Sequence, residues 1–146
     1  MRSIAIAAAT LLALLTTSCG GGPSEQDISN SLQDQLRSVS LSSWTGVTNG
    51  SNAIRLDFTL QEGSNGQVSG SGTMKEANAA AAVPITVSGT FVRPVLTLAF
   101  NGMVYEAHQA SGAAQGSYTT VGGIATTLSL SAPGYSRDLP ILLQEN

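Results

Sequence analysis

Few side chains in this chain are of the types that usually carry chemistry. The 146 residues include one cysteine, Cys19, and one histidine, His108. A serine hydrolase would need His108 beside a serine and an acid, but no Gly-x-Ser-x-Gly turn is present to expose such a serine. Metal sites are usually built from several histidines and cysteines. The sequence therefore predicts no catalytic triad and no metal site.

Carboxylates are the remaining candidates for acid–base work. Glycoside hydrolysis needs two facing carboxyl groups, and here they would come from Asp57, Glu62, Glu76 or Glu106. Most of these fall on predicted strand or loop surfaces, where a solvated charge is the ordinary state. No glycine-rich phosphate loop opens a helix. We therefore expect a protein that is not an enzyme and carries no cofactor, and its ligand-binding residues are left undetermined.

Charge is sparse along the chain. The formal net charge is −3, and 10% of the residues are charged. Because no cationic face is available to neutralise a phosphate backbone, a nucleic-acid partner is not expected. The length allows one domain, which we expect to be monomeric.

The one cysteine stands at the end of an apolar run near the start of the chain. Arg2 precedes the apolar segment 4–15, which is shorter than the roughly 20 residues a permanent membrane helix needs. Thr16-Thr17-Ser18 places small residues directly before Cys19, and a Gly-Gly-Gly-Pro tether follows it. These features predict an export signal that ends at the cysteine.

This segment resembles the lipobox of bacterial lipoproteins, although Thr16 stands where leucine is usual. The resemblance implies a signal peptide over 1–18, and a lipidated, fatty-acylated cysteine with its tether over 19–23. Gly20, rather than aspartate, follows the cysteine, which in that family implies an outer-membrane anchor facing the periplasm. In a bacterium with one membrane the protein would lie on the cell surface. An ordinary secretory signal beside an unrelated cysteine is the alternative.

Residues 24–39 form the one stretch with helical spacing. Its apolar residues recur every three or four positions, at Ile28, Leu32, Leu36 and Val39. Ser24 and Asp27 have the spacing of a capping box at a helix start. The segment is therefore predicted to be a short amphipathic helix or a partly ordered stalk.

From residue 40 onward the apolar period changes to two, which is typical of half-buried strands. Short strands with tight turns predict an all-β domain over 40–146, namely a small antiparallel up-and-down β-barrel of about eight strands, with a β-sandwich as the alternative. The predicted strands are 41–47, 54–61, 67–74, 83–91, 95–100, 103–109, 116–121, 124–132 and 139–143. Residues 75–82 are predicted to be a flexible flap.

Turn residues set the expected strand connections. Asn101-Gly102 lies between two apolar runs and predicts a two-residue type I′ hairpin turn. Residues 110–114 are all small and predict a loop. We therefore expect Gly102→Val to cost on the order of 1–3 kcal/mol and Gly112→Val much less. Asn49-Gly50-Ser51 fits a glycosylation motif, but a turn is the expected role.

Two short motifs suggest a family for the barrel. Trp44-Thr45-Gly46 lies in the first strand and Gly116-Ser117-Tyr118 near the seventh. Together with the glycine-rich strands, they resemble small up-and-down barrels of the lipocalin–avidin kind, although lipocalins place the glycine before the tryptophan. The resemblance implies the fold and no binding residues.

Two functions are open from the sequence. The favoured one is a membrane-anchored envelope lipoprotein that acts as a binding module for a small apolar ligand or lipid. The alternative is a structural or interaction protein of the envelope with a solid barrel, and a protease inhibitor is one form of it. Trp44 and Tyr118 could line a pocket, but core is the expected role. The expected partners are the membrane, through Cys19, and an apolar ligand or an envelope protein.

Overall fold

A computed structural model describes residues 24–29, 38–118 and 123–146. Within them, antiparallel strands follow chain order and close into one barrel. The strands are β1 (Ser42–Thr48), β2 (Ile54–Glu62), β3 (Gln67–Glu76), β4 (Val83–Val92), β5 (Val95–Tyr105), β6 (His108–Ser117), β7 (Gly123–Ala132) and β8 (Tyr135–Glu145), with a 3-10 turn at Ser64–Gly66. The prediction of an up-and-down barrel of about eight strands is confirmed, and the sandwich alternative is wrong.

Closure joins the first strand to the last. β1 pairs with β2 on one side and with β8 on the other, where Trp44 lies opposite Glu145 and Thr48 opposite Ile141. Closure leaves no strand of the described barrel with only one neighbour, and the β6–β7 ladder is the shortest, with three residue pairs from Ser111 to Ala113. The barrel has two ends, which we call the near end and the far end. The near end holds residues 38–41, which lead into β1, and the far end holds the β5–β6 and β7–β8 turns.

The interior is apolar because the inward positions alternate with polar outward ones. On β2, Ile54, Leu56, Phe58 and Leu60 all point inward and are buried. Among the described residues, 23 buried hydrophobic side chains form one cluster, and none is more than 5% exposed. Burial of each large side chain contributes about 1.5–3 kcal/mol to stability. Buried and exposed residues alternate along both β2 and β4, as the sequence predicted for these two strands.

The small-residue segment 110–114 was predicted to be a loop, and this is wrong. It lies inside β6, with Gly112 and Ala114 on the inner face. A β-carbon added to Gly112 would lie 2.6 Å from the Met103 Sδ and 3.1 Å from the Leu128 Cδ1. Small inner residues on β6 thus leave room for large side chains from its neighbours, as small barrels require. The expectation that Gly112→Val would be well tolerated is therefore also wrong.

The hairpin predicted at Asn101-Gly102 is wrong as well. β5 runs through these residues, and its register with β6 shifts between Phe100 and Met103. Gly102 has φ +82° and lies in this β-bulge, so position 102 still requires a residue that accepts positive φ. The chain turns at Glu106 and Ala107, whose φ values of +47° and +64° are both positive, as a type I′ turn requires.

Other strand limits also differ from the predicted ones. The described part of the predicted strand 116–121 ends with β6 at Ser117, and residues 119–122 lie outside the described residues. β8 begins at Tyr135 and continues through Pro140. β3 extends to Glu76, so the loop within the predicted flap is 77–82.

The capping box at the start of the N-terminal helix is present. Residues 25–29 are helical. The backbone N–H of Ser24 donates to the Asp27 carboxylate at 2.9 Å, and the Asp27 N–H donates to the Ser24 hydroxyl at 3.1 Å. Residues 30–37 of the predicted helix lie outside the described residues. Val39 was assigned to the helical stripe, but it is buried in the barrel core.

Glu62 holds the incoming chain at the near end. Its carboxylate accepts hydrogen bonds from the Ser38 hydroxyl at 3.0 Å and the Val39 N–H at 3.3 Å. It also forms an ion pair with Arg93 at 2.6 Å. The Glu62 side chain is only 10% exposed, whereas its sequence position suggested a solvated surface charge. These contacts fix the segment that carries Val39 into the core.

Candidate functional site

The aromatic residues considered for a ligand pocket lie in the core at the near end. Trp44 and Tyr118 are each 1% exposed, and their ring centroids are 5.0 Å apart in an edge-on arrangement. The Trp44 Nε1 donates to the Ser42 hydroxyl at 2.7 Å, and the Tyr118 hydroxyl donates to the Glu145 carboxylate. Both polar groups are therefore satisfied by the protein. The expectation that these aromatics serve as core is confirmed.

The carboxylates considered for catalysis are divided among three places. Asp57 is on the outer face of β2, where it pairs with Arg55 at 2.7 Å. Glu62 is at the near end. Glu76 and Glu106 meet at the far end, where the Glu106 N–H donates to the Glu76 carboxylate at 3.3 Å. Cys19, the predicted lipidation site, lies outside the described residues.

Glu106 is the centre of a polar network at the far end. Its carboxylate accepts a hydrogen bond from the Asn52 amide at 3.0 Å and another from the Tyr135 hydroxyl at 2.8 Å. The Arg137 guanidinium lies 3.9 Å away. We call the four residues Asn52, Glu106, Tyr135 and Arg137 the Glu106 cluster. They come from the β1–β2 loop, the β5–β6 turn and β8, so only the closed barrel brings them together.

The protonation of the Glu106 cluster follows from its hydrogen bonds. Donation by Asn52 and Tyr135 lowers the pKa of Glu106, and the charge of Arg137 lowers it further. Burial and the hydrogen bond to Glu106 raise the pKa of Tyr135. At neutral pH the carboxylate is therefore ionised and the phenol is protonated. The network presents a fixed pattern of donors and acceptors.

Two further side chains extend this network. The His108 ring stacks on the Tyr135 ring with centroids 4.4 Å apart. The Asn78 amide donates to the Asn52 side-chain oxygen at 3.2 Å. His108 is exposed, whereas Tyr105, its partner across the β5–β6 turn, points inward and is buried.

A shallow pocket of about 240 Å³ adjoins the cluster. Its lining includes Asn49, Tyr105, Glu106, Arg137 and Asp138. Tyr105 is 4% exposed, and its hydroxyl makes no hydrogen bond with any residue that the structure describes. Burial and the neighbouring Glu106 raise the pKa of Tyr105, so this hydroxyl stays protonated. A buried hydroxyl normally has a partner, so this pocket is suited to a small polar group of a bound molecule.

The sequence analysis missed the Glu106 cluster as a site. Its members are scattered from residue 52 to residue 137, and each reads alone as an ordinary surface residue. The one local signal is Tyr135-x-Arg137, because a spacing of two places both side chains on one face of a strand. The Asn49-Gly50-Ser51 motif lies beside the site in the β1–β2 loop, where a turn was expected.

Comparison of this chain with models of known families, with curated proteins and with solved structures found no match. Within the described residues, no three His, Cys, Asp or Glu side chains come together in a way that could hold a metal ion. No helix of the described ranges is long and apolar enough to cross a bilayer.

Proposed function

We propose that this chain is a lipid-anchored envelope protein whose barrel is structural and which binds a polar partner through the Glu106 cluster at its far end. The observation that carries the proposal is the filled interior. The sequence left open whether the barrel holds a ligand or its own side chains, because barrels of this size occur in both forms.

The packing favours the filled form. An empty chamber for a small ligand would expose the inward side chains at mid-barrel, yet Leu56, Leu98 and Leu128, from three different strands, are each 1% exposed or less. Inward glycines are covered by neighbouring side chains as well. A β-carbon on Gly46 would lie 2.7 Å from the Leu143 Cδ2, and one on Gly116 would overlap Ile124. Binding is therefore more easily accommodated on the surface.

The hypothesis of a carrier for an apolar ligand or lipid remains a separate prediction, as does kinship with the lipocalin–avidin class beyond the shared barrel form. A carrier function would require the core side chains to move aside for a ligand. Native mass spectrometry of the protein purified from its own envelope distinguishes the two functions. A filled barrel predicts the mass of the lipidated chain alone, whereas a carrier predicts a retained ligand.

Photo-crosslinking tests the proposed binding end. A photoreactive amino acid is placed at His108 or at Arg137 in the far-end site, and at Ser71 on the outer face of β3 as the matched control. In cells we expect discrete adducts from the two far-end positions, at least several-fold above those from Ser71. Equal labelling from all three positions, together with a retained apolar ligand, would contradict the proposal.

The anchor is tested at Cys19. In the Cys19→Ser variant we expect loss of fatty-acid incorporation and release of the chain from the membrane fraction, because the lipobox chemistry requires the thiol. The lipid chains on the cysteine supply most of the membrane affinity of such a protein, so their loss should release it. Gly22→Ser, which alters the tether and leaves the thiol in place, is the control. Fatty-acid labelling of the Cys19→Ser variant at the level of the unmodified chain would rule out this site.

A further inference from the structure

We infer that the near end of the barrel rests on the lipid surface, with the side chains of Leu41 and Val92 dipping into the interface. The inference rests on the proposed lipid anchor and deepens it, because it specifies how the barrel sits on the membrane. Four observations carry it: two exposed side chains, one backbone conformation, the place where the tether arrives, and the contrast between the two ends.

Leu41 is the most exposed large hydrophobic residue of the described chain. Its residue exposure is 88%, directly before β1. Its φ is +59°, a left-handed conformation that bulky residues rarely adopt. A glycine or asparagine would meet the backbone requirement better, and a polar side chain would suit water better. Leu41 borders a shallow groove beside Thr59 and Ser71 on the outer face of β2 and β3, and most of its surface is left open there. Leucine is therefore poorly matched to this position in a water-facing turn and better matched to an apolar surface outside the fold.

Val92 gives a second apolar side chain at the same end. It is the last residue of β4, it lies opposite Val95 at the β4–β5 turn, and it is 70% exposed. The adjacent charges do not oppose contact with lipid, because Arg93 is paired with Glu62. Because this ion pair has no net charge, it favours no anionic lipid, and the proposed contact is with the interface of a zwitterionic bilayer.

The two ends of the barrel differ in how their charged groups are used: at the near end the carboxylates of Glu62 and Glu145 accept hydrogen bonds from Arg93 and Tyr118. The far end carries the Glu106 cluster and Asp138, with charged and amide side chains facing water. The near end receives the chain from the proposed anchor at Ser38, which the Glu62 carboxylate binds. Residues 20–37 are thus the whole link between Cys19 and the barrel, and they arrive at the end that bears Leu41 and Val92.

Insertion of one apolar side chain contributes little binding free energy, so the contact of the near end with the membrane depends on the lipid anchor. A few apolar side chains bind a membrane weakly and reversibly, while two combined signals give stable attachment. With the near end held at the interface, the Glu106 cluster points away from the membrane. The orientation explains why the polar pocket and the tether lie at opposite ends of one small barrel.

The test uses the lipidated full chain in phosphatidylcholine vesicles that contain a lipid with a nitroxide near the top of the acyl chain. Leu41→Cys, Val92→Cys and, as the matched control, Ala81→Cys in the far-end loop 77–82 are each labelled with an environment-sensitive fluorophore. Acylation blocks the Cys19 thiol, so the label attaches to the new cysteine. Far-UV circular dichroism checks that each variant keeps the barrel.

We expect the fluorophores at positions 41 and 92 to be quenched at least threefold more strongly than the one at position 81. Equal quenching at all three positions, in a protein that floats with the vesicles, overturns the near-end contact and leaves the anchor intact. Emission at 41 and 92 that indicates an apolar environment without nitroxide quenching would mean that a second copy covers them, which also overturns it. A chain that does not float with vesicles overturns the anchor, and the contact with it.

Discussion

Replacement of Gly89 by alanine should destabilise the barrel by about 3 kcal/mol, the upper end of the usual range for overpacking, because the groups it would meet are rigid. Gly89 lies on the inner face of β4 opposite Leu98 of β5. A β-carbon there would overlap the carbonyl oxygen of Thr97 and lie 3.1 Å from the Leu98 Cα. These are backbone atoms, so no rotation of a side chain can relieve the contact, and the β4–β5 ladder must open.

Gly63 is the matched control, because it lies in the turn after β2 with φ −96°, which alanine adopts easily. A β-carbon on Gly63 would lie 3.7 Å from the Gln67 carbonyl oxygen, which is an ordinary van der Waals distance. Urea unfolding followed through Trp44 fluorescence measures both variants. Gly63→Ala should leave the midpoint almost unchanged. Equal midpoints for the two variants would mean that β4 and β5 are not as closely opposed as the structure has them.

The second large effect is expected for Glu62→Gln. The substitution removes the charge that pairs with Arg93 and leaves a single acceptor oxygen where the carboxylate has two. The Ser38 and Val39 donors then compete with Arg93 for that oxygen. Because the carboxylate is largely buried, the loss should be about 2–3 kcal/mol in the free energy of unfolding.

The pH dependence of stability should identify Glu62 as the cause. Burial alone would raise the pKa of Glu62, but hydrogen bonds from Arg93, Ser38 and the Val39 N–H, with the Arg93 charge, hold it below its ordinary value. Below the ordinary glutamate pKa of about 4.3, the unfolded chain takes up the proton first. The contribution of Glu62 is therefore complete above that pH and declines as the pH falls through the lower folded pKa.

Asp57→Asn is the control for this experiment. Asp57 also has a lowered pKa, caused first by its hydrogen bond from Arg55, but both side chains are largely exposed on the outer face. Solvent screens such pairs, so we expect little change in stability. Denaturant titrations between pH 7 and pH 3 compare the variants with the unmodified chain. If Glu62→Gln keeps the full acid sensitivity of the unmodified chain, Glu62 is not the group that titrates.

Strands with large inward side chains could be located correctly from the sequence alone. The alternation on β2 and β4 is regular, and the structure has strands there. β6 was missed because its inward positions are Gly112, Ala114 and Gly116, whose small side chains give no apolar alternation. Their size is explained only by the large neighbours on β5 and β7, which a local pattern does not include.

The error at Asn101-Gly102 has a related cause. The inward residues of β5 change from even to odd numbers between Phe100 and Met103. Such a change of parity fits a two-residue turn and a one-residue bulge equally well, and Asn-Gly suits both. The Glu106 cluster could not be found in this way at all, because its members meet only after β8 has closed against β1.

That closure also affects when the protein can fold. The Asn146 amide donates to the Thr45 hydroxyl across 101 positions of sequence, so the first strand gains its second neighbour only once β8 has been made. Contacts of such long range are formed against a large loop-closure entropy, and folding of this kind takes about milliseconds to seconds. A chain that passes through an export channel from its N-terminus cannot complete the barrel until β8 has followed. Under the export proposed above, this topology would therefore delay closure of the barrel until β8 has passed the channel.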